Sequence, residues 1–457
     1  MPRLDDGTTA VLEQIVAEAA ASGRLPSIVA AGSRHGEICW QASAGSTAAR
    51  DGAGFTASQY RIGSITKTFT AVSVIQLRDE GLVDLSDPIA RYVPDSPLGQ
   101  RSVRSMLAHS SGMTAEPAGP WWERTAGGDW SKLATANATT AAVYGPGERY
   151  HYSNLGSALL GELVARIRGV DWWDAVSGTI LQPLGLRDTT YHPRGDAVPG
   201  TSRDPLTGQL MEEPAHDAGV MAPAGQLWST AADLARWADV LAAGHPQVLS
   251  HSSAAEMRTV QSGDPDEQHR GAYGLGLRLR WQPGGTLVGH TGSMPGFLAA
   301  VFVDPLTRVA SVLLTNATTG LDPETVAVRL LGTVSDGLRP APSDDALAAE
   351  PAEPAQLGRA GELGGHWYWG NTQMTAAVTP RGFTLRSAAG VRTFEQVGVD
   401  RFRGCDGYFA GEDLRVVRRG DRSLSHLAVV TFVLTRRPYD PSTPIPGGQP
   451  QPLSWPG

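Results

Sequence analysis

Ser64 and Lys67 stand three residues apart in Gly63-Ser64-Ile65-Thr66-Lys67. On a helix, positions i and i+3 share a face, so the ammonium can reach the hydroxyl. A serine hydroxyl is a weak nucleophile until a neighbouring base takes its proton, and lysine is such a base only when its pKa is pulled down. Lysine is also rare in this chain of 457 residues. Of 38 Lys+Arg, two are lysine and 38 − 2 = 36 are arginine. Where arginine serves wherever positive charge alone is needed, Lys67 supplies what arginine cannot, a proton that leaves. Ser-x-x-Lys is the arrangement of an acyl-transferring serine.

Such a nucleophile also needs a proton route to the leaving group and donors for the oxyanion. Two further triplets follow in order. Tyr152-Ser153-Asn154 comes just after Gly145-Pro146-Gly147-Glu148. In an extended segment, i and i+2 point the same way, so Tyr152 and Asn154 can face one cleft. His290-Thr291-Gly292 closes a strand before Ser293-Met294-Pro295-Gly296, and a glycine there lets a substrate backbone lie close against an edge. Each triplet alone is an ordinary turn; the three in this order are specific. No Gly-x-Ser-x-Gly elbow occurs, so an α/β-hydrolase has no support.

Other chemistry is disfavoured. The net charge of −8 does not suit a nucleic-acid partner. Cys39 and Cys405 are far apart, and the eleven histidines form no His-Glu-x-x-His or Cys/His cluster, so neither a disulfide framework, a metal nor a cofactor is implied. The first amphipathic stretch is interrupted by Glu13 and Glu18, and it is neither a leader core nor a membrane span. The expectation is a cytoplasmic protein without a membrane partner.

The elements that must hold these residues are legible from periodicity. A helix is expected over 8–22, a hairpin from the runs 27–34 and 37–44 around His35-Gly36, and a helix from Ser64 to Glu80 stopped by Gly81. Helices follow at 154–168 and 230–243. The runs 273–281, 286–290, 297–303 and 309–315 read as an antiparallel meander, closed by a helix over 324–333. An opening hairpin, a helical middle and a closing meander imply one α+β sheet built from both ends, with a helical lobe beside it. Residues 336–358 are rich in proline, alanine and acid and read as a linker. Beyond it, short runs at 366–369, 375–378, 382–386, 392–397, 408–410, 414–417 and 427–435 suggest a small β-barrel or sandwich. The expected division is 1–335, 336–358 and 359–457.

With these segments assembled, the chain resembles the class C β-lactamase-like serine hydrolases of the penicillin-binding-protein fold. The likeness spans residues 10–335. It rests on Arg61–Thr70, on Leu107-Ala108-His109-Ser110-Ser111-Gly112, and on Pro146-Gly147-Glu148 with Tyr152-Ser153-Asn154. Leu181-Gln182-Pro183-Leu184-Gly185-Leu186, Leu227-Trp228-Ser229-Thr230 and Gly289-His290-Thr291-Gly292 complete it. The resemblance implies Ser64 as nucleophile, Lys67 as its proton acceptor and Tyr152 as the shuttle serving the leaving group. It implies Asn154 on the substrate amide, His290, Thr291 and Gly292 along the substrate, and the backbone N–H groups of Ser64 and Ser293 as the oxyanion hole. Whether Lys67 or Tyr152 is the acylation base stays open.

His290 departs from the lysine that many of these enzymes carry, and a neutral imidazole is a weaker carboxylate clamp that still donates a hydrogen bond. Antibiotic hydrolysis is disfavoured accordingly. Architecture resembles that of penicillin-binding-protein-type thioesterases with an appended lipocalin-like domain, which release a nonribosomal peptide by macrolactam cyclisation. That implies peptidyl thioesters, free or borne by a carrier protein; the alternatives are an esterase, a D-stereospecific amino- or carboxypeptidase, and, remotely, a non-catalytic binding protein. His109 and Trp228 read as structural. Trp121, Trp122 and Trp130 are expected on a pocket wall, and Arg436 and Arg437 at the mouth of the site, gripping a carboxylate or carbonyl of the peptide.

Overall fold

Apolar residues on both faces of one strand decide the layering of the N-terminal part. In β1 (Ile28–Arg34), Ile28 and Ala30 pack with Leu12, Ile15 and Leu331, while Val29 and Ala31 pack with Phe69, Val72 and Trp237. A strand buried on both sides requires cover on both faces of its sheet. The computed structural model describes residues 4–45, 57–195, 197–263, 271–282, 285–338, 363–379, 381–387, 390–421 and 423–439. The linker expected over 336–358 and the tail from 440 lie almost wholly outside these residues.

The sheet has eight strands. Besides β1 they are β2 (Glu37–Ala44), β3 (Ser262–Gly263), β4 (Gly271–Tyr273), β5 (Arg278–Gln282), β6 (Gly285–Met294), β7 (Phe297–Val303) and β8 (Val309–Thr315). Their order is β2-β1-β8-β7-β6-β5-β4-β3, antiparallel throughout, so the opening hairpin joins the closing meander. Ile28 lies opposite Thr315, and Asn316 Oδ1 accepts from both Ser27 N (2.9 Å) and Ser27 Oγ (2.7 Å). His35 and Gly36 both take positive φ at the hairpin turn.

Helices α1 (Asp6–Gly23) and α5 (Pro323–Gly337) cover one face. Asp5 caps the first by accepting from Thr8 N at 2.7 Å, and Asp322 caps the second. The other face is covered by α4 (Ala231–Ala243), and in the helical lobe α2 (Thr66–Asp79) packs against α3 (Asn154–Arg168) within the same core. Every residue of α2 from Thr66 to Leu77 is buried, which makes it the central helix of the domain. Among the described residues, no helix is long and apolar enough to cross a membrane.

The C-terminal part is a closed barrel of eight antiparallel strands, β9 (Gly365–Trp369), β10 (Thr372–Thr379), β11 (Gly382–Ser387), β12 (Gly390–Gly398), β13 (Arg401–Gly404), β14 (Asp413–Arg418), β15 (Leu424–Val429) and β16 (Phe432–Thr435). Closure removes the free edges that a small sheet would otherwise present. Phe383, Phe394, Phe402, Phe409 and Trp367 fill it. Two readings of this region need correction. Tyr408–Ala410 is no strand: Gly407–Phe409 forms a 3₁₀ turn between β13 and β14. The run 427–435 is two strands, broken by a turn in which Val430 takes φ +54°.

The two parts share a core. Trp121, from the helical lobe, belongs to the apolar cluster of the barrel, its ring 6.1 Å from Trp369 and 5.9 Å from Phe432. Arg124 forms a buried ion pair with Glu213, and its guanidinium lies 4.4 Å from the ring of Tyr439. Asn371 Nδ2 donates to Ser202 Oγ at 2.6 Å.

Candidate active site

Ser64 sits in a 3₁₀ turn (Gly63–Ile65) that leads directly into α2. One turn on, Lys67 Nζ lies 3.0 Å from Ser64 Oγ and donates to the Ala224 carbonyl at 2.6 Å. Lys67 is 4% exposed. Desolvation brings its pKa down to about 7, against the opposing pull of Glu116 and Glu123. A lysine with that value is partly neutral at physiological pH and presents a lone pair to the hydroxyl.

Tyr152 and Asn154 flank the N-terminus of α3. Ser153 between them is its cap, accepting from Gly156 N at 3.0 Å, so Asn154 is the first helical residue and Tyr152 is still extended. The segment is held by His109, whose Nδ1 accepts from Ser153 N at 3.2 Å and whose carbonyl accepts from His151 N at 2.6 Å. The ring of Tyr152 lies 4.9 Å from Lys67 Nζ, and its hydroxyl hydrogen-bonds Ser64. Desolvation raises the phenol well above its ordinary range, so it remains a proton donor.

Two glycines bring the third segment against Ser64. A Cβ at Gly292 would stand 1.9 Å from the Ile62 carbonyl oxygen and 3.2 Å from Ser64 N. One at Gly63 (φ +51°) would stand 2.5 Å from Ser293 N. Only a bare backbone permits this approach, which sets the amides of Ser64 and Ser293 on touching stretches of chain. Thr291 and Gly292 lie on β6 between them.

His290 is differently placed from expectation. Its Nδ1–H donates to the Thr291 carbonyl at 2.5 Å, and its Nε2 accepts from Tyr273 OH at 2.9 Å. Both ring nitrogens are thus engaged within the protein, and the donor expected for substrate is spent. Burial lowers the imidazole pKa to about 3 and keeps it neutral. The Arg436 expectation is also corrected. Its guanidinium donates to the carbonyls of Gly364 and His366 (both 2.9 Å) and stacks 3.9 Å from the Trp367 ring, serving the barrel itself. Arg437 is exposed just past the last strand of the barrel. Trp121 is buried between the domains rather than on a pocket wall, and Trp130 caps its indole on Asp95 at the surface. Trp122 is buried in the domain core, its Nε1 donating to Glu116 Oε2 at 2.7 Å.

Three residues unmarked by any motif complete the site. Glu116, 1% exposed, accepts from Asn154 Nδ2 at 2.6 Å and from the hydroxyl of Tyr408, which the barrel's 3₁₀ turn delivers. The Tyr408 ring lies 6.1 Å from that of Tyr152. Burial raises the Glu116 carboxyl, and the neighbouring Glu123 adds to this. Glu412, also from the barrel, accepts from Ala115 N at 2.7 Å, and its Oε1 lies 3.0 Å from His151 Nε2. It therefore ties together the loop bearing Glu116 and the segment bearing Tyr152. These partners are 254 to 297 residues apart in sequence, beyond the reach of local spacing.

Residues 12–334 match the model of the beta-lactamase family. The chain belongs to the beta-lactamase family. Residues 357–436 match a separate domain of unknown function (DUF7586). A human relative, putative beta-lactamase-like 1, is 29% identical over 379 residues, covering 79% of this chain and 74% of its own length. Among solved structures, a D-stereospecific amidohydrolase from a Streptomyces species is 27% identical with a TM-score of 0.60, covering 70% of this chain and 97% of that one. The octameric penicillin-binding protein homologue from Pyrococcus abyssi has a TM-score of 0.62 at 22% identity over 93% of this chain and 99% of its own. This beta-lactamase-family protein is a serine hydrolase with an all-β barrel appended. Among its described residues, no group of three or more His, Cys, Asp or Glu side chains is placed to hold a metal ion.

Proposed function

We propose that this enzyme forms an acyl-enzyme on Ser64 from small D-configured amides, esters or peptidyl (thio)esters and passes the acyl group to water or an amine. One observation carries the reading. A buried lysine with a pKa near 7 lies 3.0 Å from the serine hydroxyl, while the adjacent phenol is held protonated. That separation of pKa values supports the following division of roles. Lys67 takes the proton of Ser64 as Oγ attacks the carbonyl carbon. The oxyanion is received by the N–H groups of Ser64 and Ser293. As the tetrahedral intermediate collapses, Tyr152 gives its proton to the departing amine, alkoxide or thiolate and regains one from Lys67. Water or an amine then attacks the ester, with the same groups working in reverse. The D-configuration is supported by the likeness to a D-stereospecific amidohydrolase at 27% identity.

A fluorophosphonate should label Ser64 in the native enzyme, with the adduct located by peptide mass spectrometry. A D-alanyl p-nitroanilide should be cleaved in preference to its L-isomer. Labelling elsewhere, or no loss of turnover in Ser64→Ala, refutes the assignment.

Aminolysis by the substrate's own N-terminus, releasing a macrolactam, is the second reading of the acyl-enzyme's fate. It is supported by the barrel's Tyr408, bonded to Glu116 with its ring 6.1 Å from that of Tyr152, since a second domain beside the acyl-enzyme restricts water and favours a tethered amine. A linear peptidyl thioester ending in a D-residue should then yield a product one water lighter than the acid. Linear acid alone would leave hydrolysis as the reaction.

A further inference from the structure

The chain on either side of Tyr152 is tied to one oxygen atom of the barrel. One residue before it, His151 Nε2 lies 3.0 Å from Glu412 Oε1. Two residues after it, the Asn154 amide donates to the Ala115 carbonyl at 2.7 Å, and the Ala115 amide donates to that same Oε1 at 2.7 Å. Glu412 therefore holds the segment directly at one end and through a single residue at the other. Glu412 is 4% exposed, His151 2% and Ala115 0%, so water is kept from standing in for the carboxylate.

The mount of Glu412 is firm. Its amide donates to the Phe409 carbonyl at 2.9 Å and its carbonyl accepts from Gly404 N at 2.9 Å, which ties it to the 3₁₀ turn and to β13. Beside it, Gly411 (φ +77°) lies so close to the 143–144 stretch that a Cβ would stand 2.3 Å from Val143 Cγ1 and 2.8 Å from the Tyr144 hydroxyl oxygen. The Tyr144 ring in turn meets that of His151 edge-on, 5.4 Å between centroids. The carboxylate thus reaches the catalytic domain as part of a closed barrel packed against it.

We propose that Glu412 is a positioning residue for the Tyr152 proton shuttle, so that the barrel sets how well the enzyme expels leaving groups that need a proton. Glu412 touches no reacting atom; it fixes where the phenol stands relative to Ser64. The Tyr152 hydroxyl hydrogen-bonds Ser64 and must then meet the leaving atom, and an error of about 1 Å in such a group costs on the order of 100-fold in rate. An amide nitrogen departs as an amine only once protonated, whereas the phenolate of an activated ester departs unaided. Loss of Glu412 should therefore fall on amides and spare activated esters. This rests on the acyl-transfer reading above and adds to it the range of leaving groups.

The test compares kcat/KM for D-alanyl p-nitroanilide and D-alanyl p-nitrophenyl ester, which share an acyl group, with every rate referred to the enzyme that a fluorophosphonate titrates. Tyr152→Phe is the benchmark and should lose more on the anilide than on the ester. Glu412→Ala should follow it, losing about 100-fold on the anilide and about fivefold or less on the ester. His151→Phe keeps a ring beside Tyr144 and removes the contact with Glu412. It should lower the anilide-to-ester ratio by about tenfold, and it carries the test if the alanine variant does not fold. Glu412→Gln, which keeps an acceptor oxygen, should stay within about threefold of the native ratio. Instability alone lowers the titrated fraction and leaves the ratio unmoved, so a native ratio in Glu412→Ala, or in His151→Phe where only that variant folds, overturns the proposal. A ratio as disturbed in Glu412→Gln as in Glu412→Ala overturns its assignment to the hydrogen bonds. Equal losses on both substrates in Tyr152→Phe are a different outcome and refute the shuttle role of Tyr152 itself.

Discussion

Replacing Lys67 by arginine separates a proton acceptor from a fixed charge. Burial takes the lysine from 10.5 to about 7, which corresponds to about 5 kcal/mol of lost preference for the charged form. At pH 7 roughly half of the side chain is then neutral, against about 1 in 3,000 for a lysine at its ordinary value. The shift is therefore worth a factor of about 10³ in competent enzyme. Arginine stays protonated at any pH the enzyme survives, so Lys67→Arg should lose at least about 10³-fold in kcat/KM, almost as much as Lys67→Ala. The assay is kcat/KM for an activated ester between about pH 5.5 and 9. The native enzyme should show an acid limb of unit slope, activity rising as pH climbs through about 7, because the neutral amine is the active form. The arginine variant should show no such limb. If it keeps activity within about tenfold of native, or if the native limb is missing, Lys67 is an electrostatic anchor and the reasoning fails.

Gly292→Ala drives a methyl into the Ile62 carbonyl oxygen and should lower kcat by about 100-fold or more by separating the Ser64 and Ser293 amides; a native rate of ester turnover in the folded variant would refute that placement. Nitrocefin should be hydrolysed with a kcat/KM at least about 100-fold below that for an activated ester, since its carboxylate meets a neutral His290 and the acidic Glu116. Comparable efficiencies would show that the cleft holds anions after all. Glu412→Ala orphans the Ala115 amide and a nitrogen of His151, and should cost about 2–4 kcal/mol in denaturant unfolding. Glu412→Gln, which keeps one acceptor oxygen, should recover part of that loss, and equal losses in both variants would assign it to packing.

The strands of the sheet and the helices around Ser64 were legible because their apolar positions repeat at 2 or 3.6 residues and their caps are local. Ser153 caps α3 three residues from its partner, and Gly36 turns a two-residue hairpin. Lys67 Nζ reaches Ser64 Oγ at 3.0 Å, as the i, i+3 spacing implies. The residues that escaped are those whose meaning depends on a distant partner. Glu116 lies in Thr-Ala-Glu-Pro-Ala with no periodicity around it; the only local hint is a carboxylate in a Gly/Ala-rich stretch that also holds Trp121-Trp122. Tyr408 was absorbed into an expected strand because Tyr-Phe-Ala has strand-like composition, whereas flanking Gly407 and Gly411, both at positive φ, mark the departure from the ladder. Arg436 has the composition of a ligand clamp, but the carbonyls it binds lie 70 and 72 residues upstream.

Pairing of Ile28 with Thr315 has a consequence for biosynthesis. At ordinary translation speeds of about 5–20 residues per second, the hairpin of β1 and β2 waits roughly 15–60 s for the strand that covers it. Through that interval the apolar run Ile28–Ala31 has no partner on one edge, and the 3₁₀ turn that carries Ser64 has no Ser293 to lie against. The cleft is finished later still, when Tyr408 and Glu412 leave the ribosome and meet Glu116 and Ala115. Ser64 is thus among the first parts of the chain to be made, and a product that stalls before Ser293 carries it without the strand that lies against it.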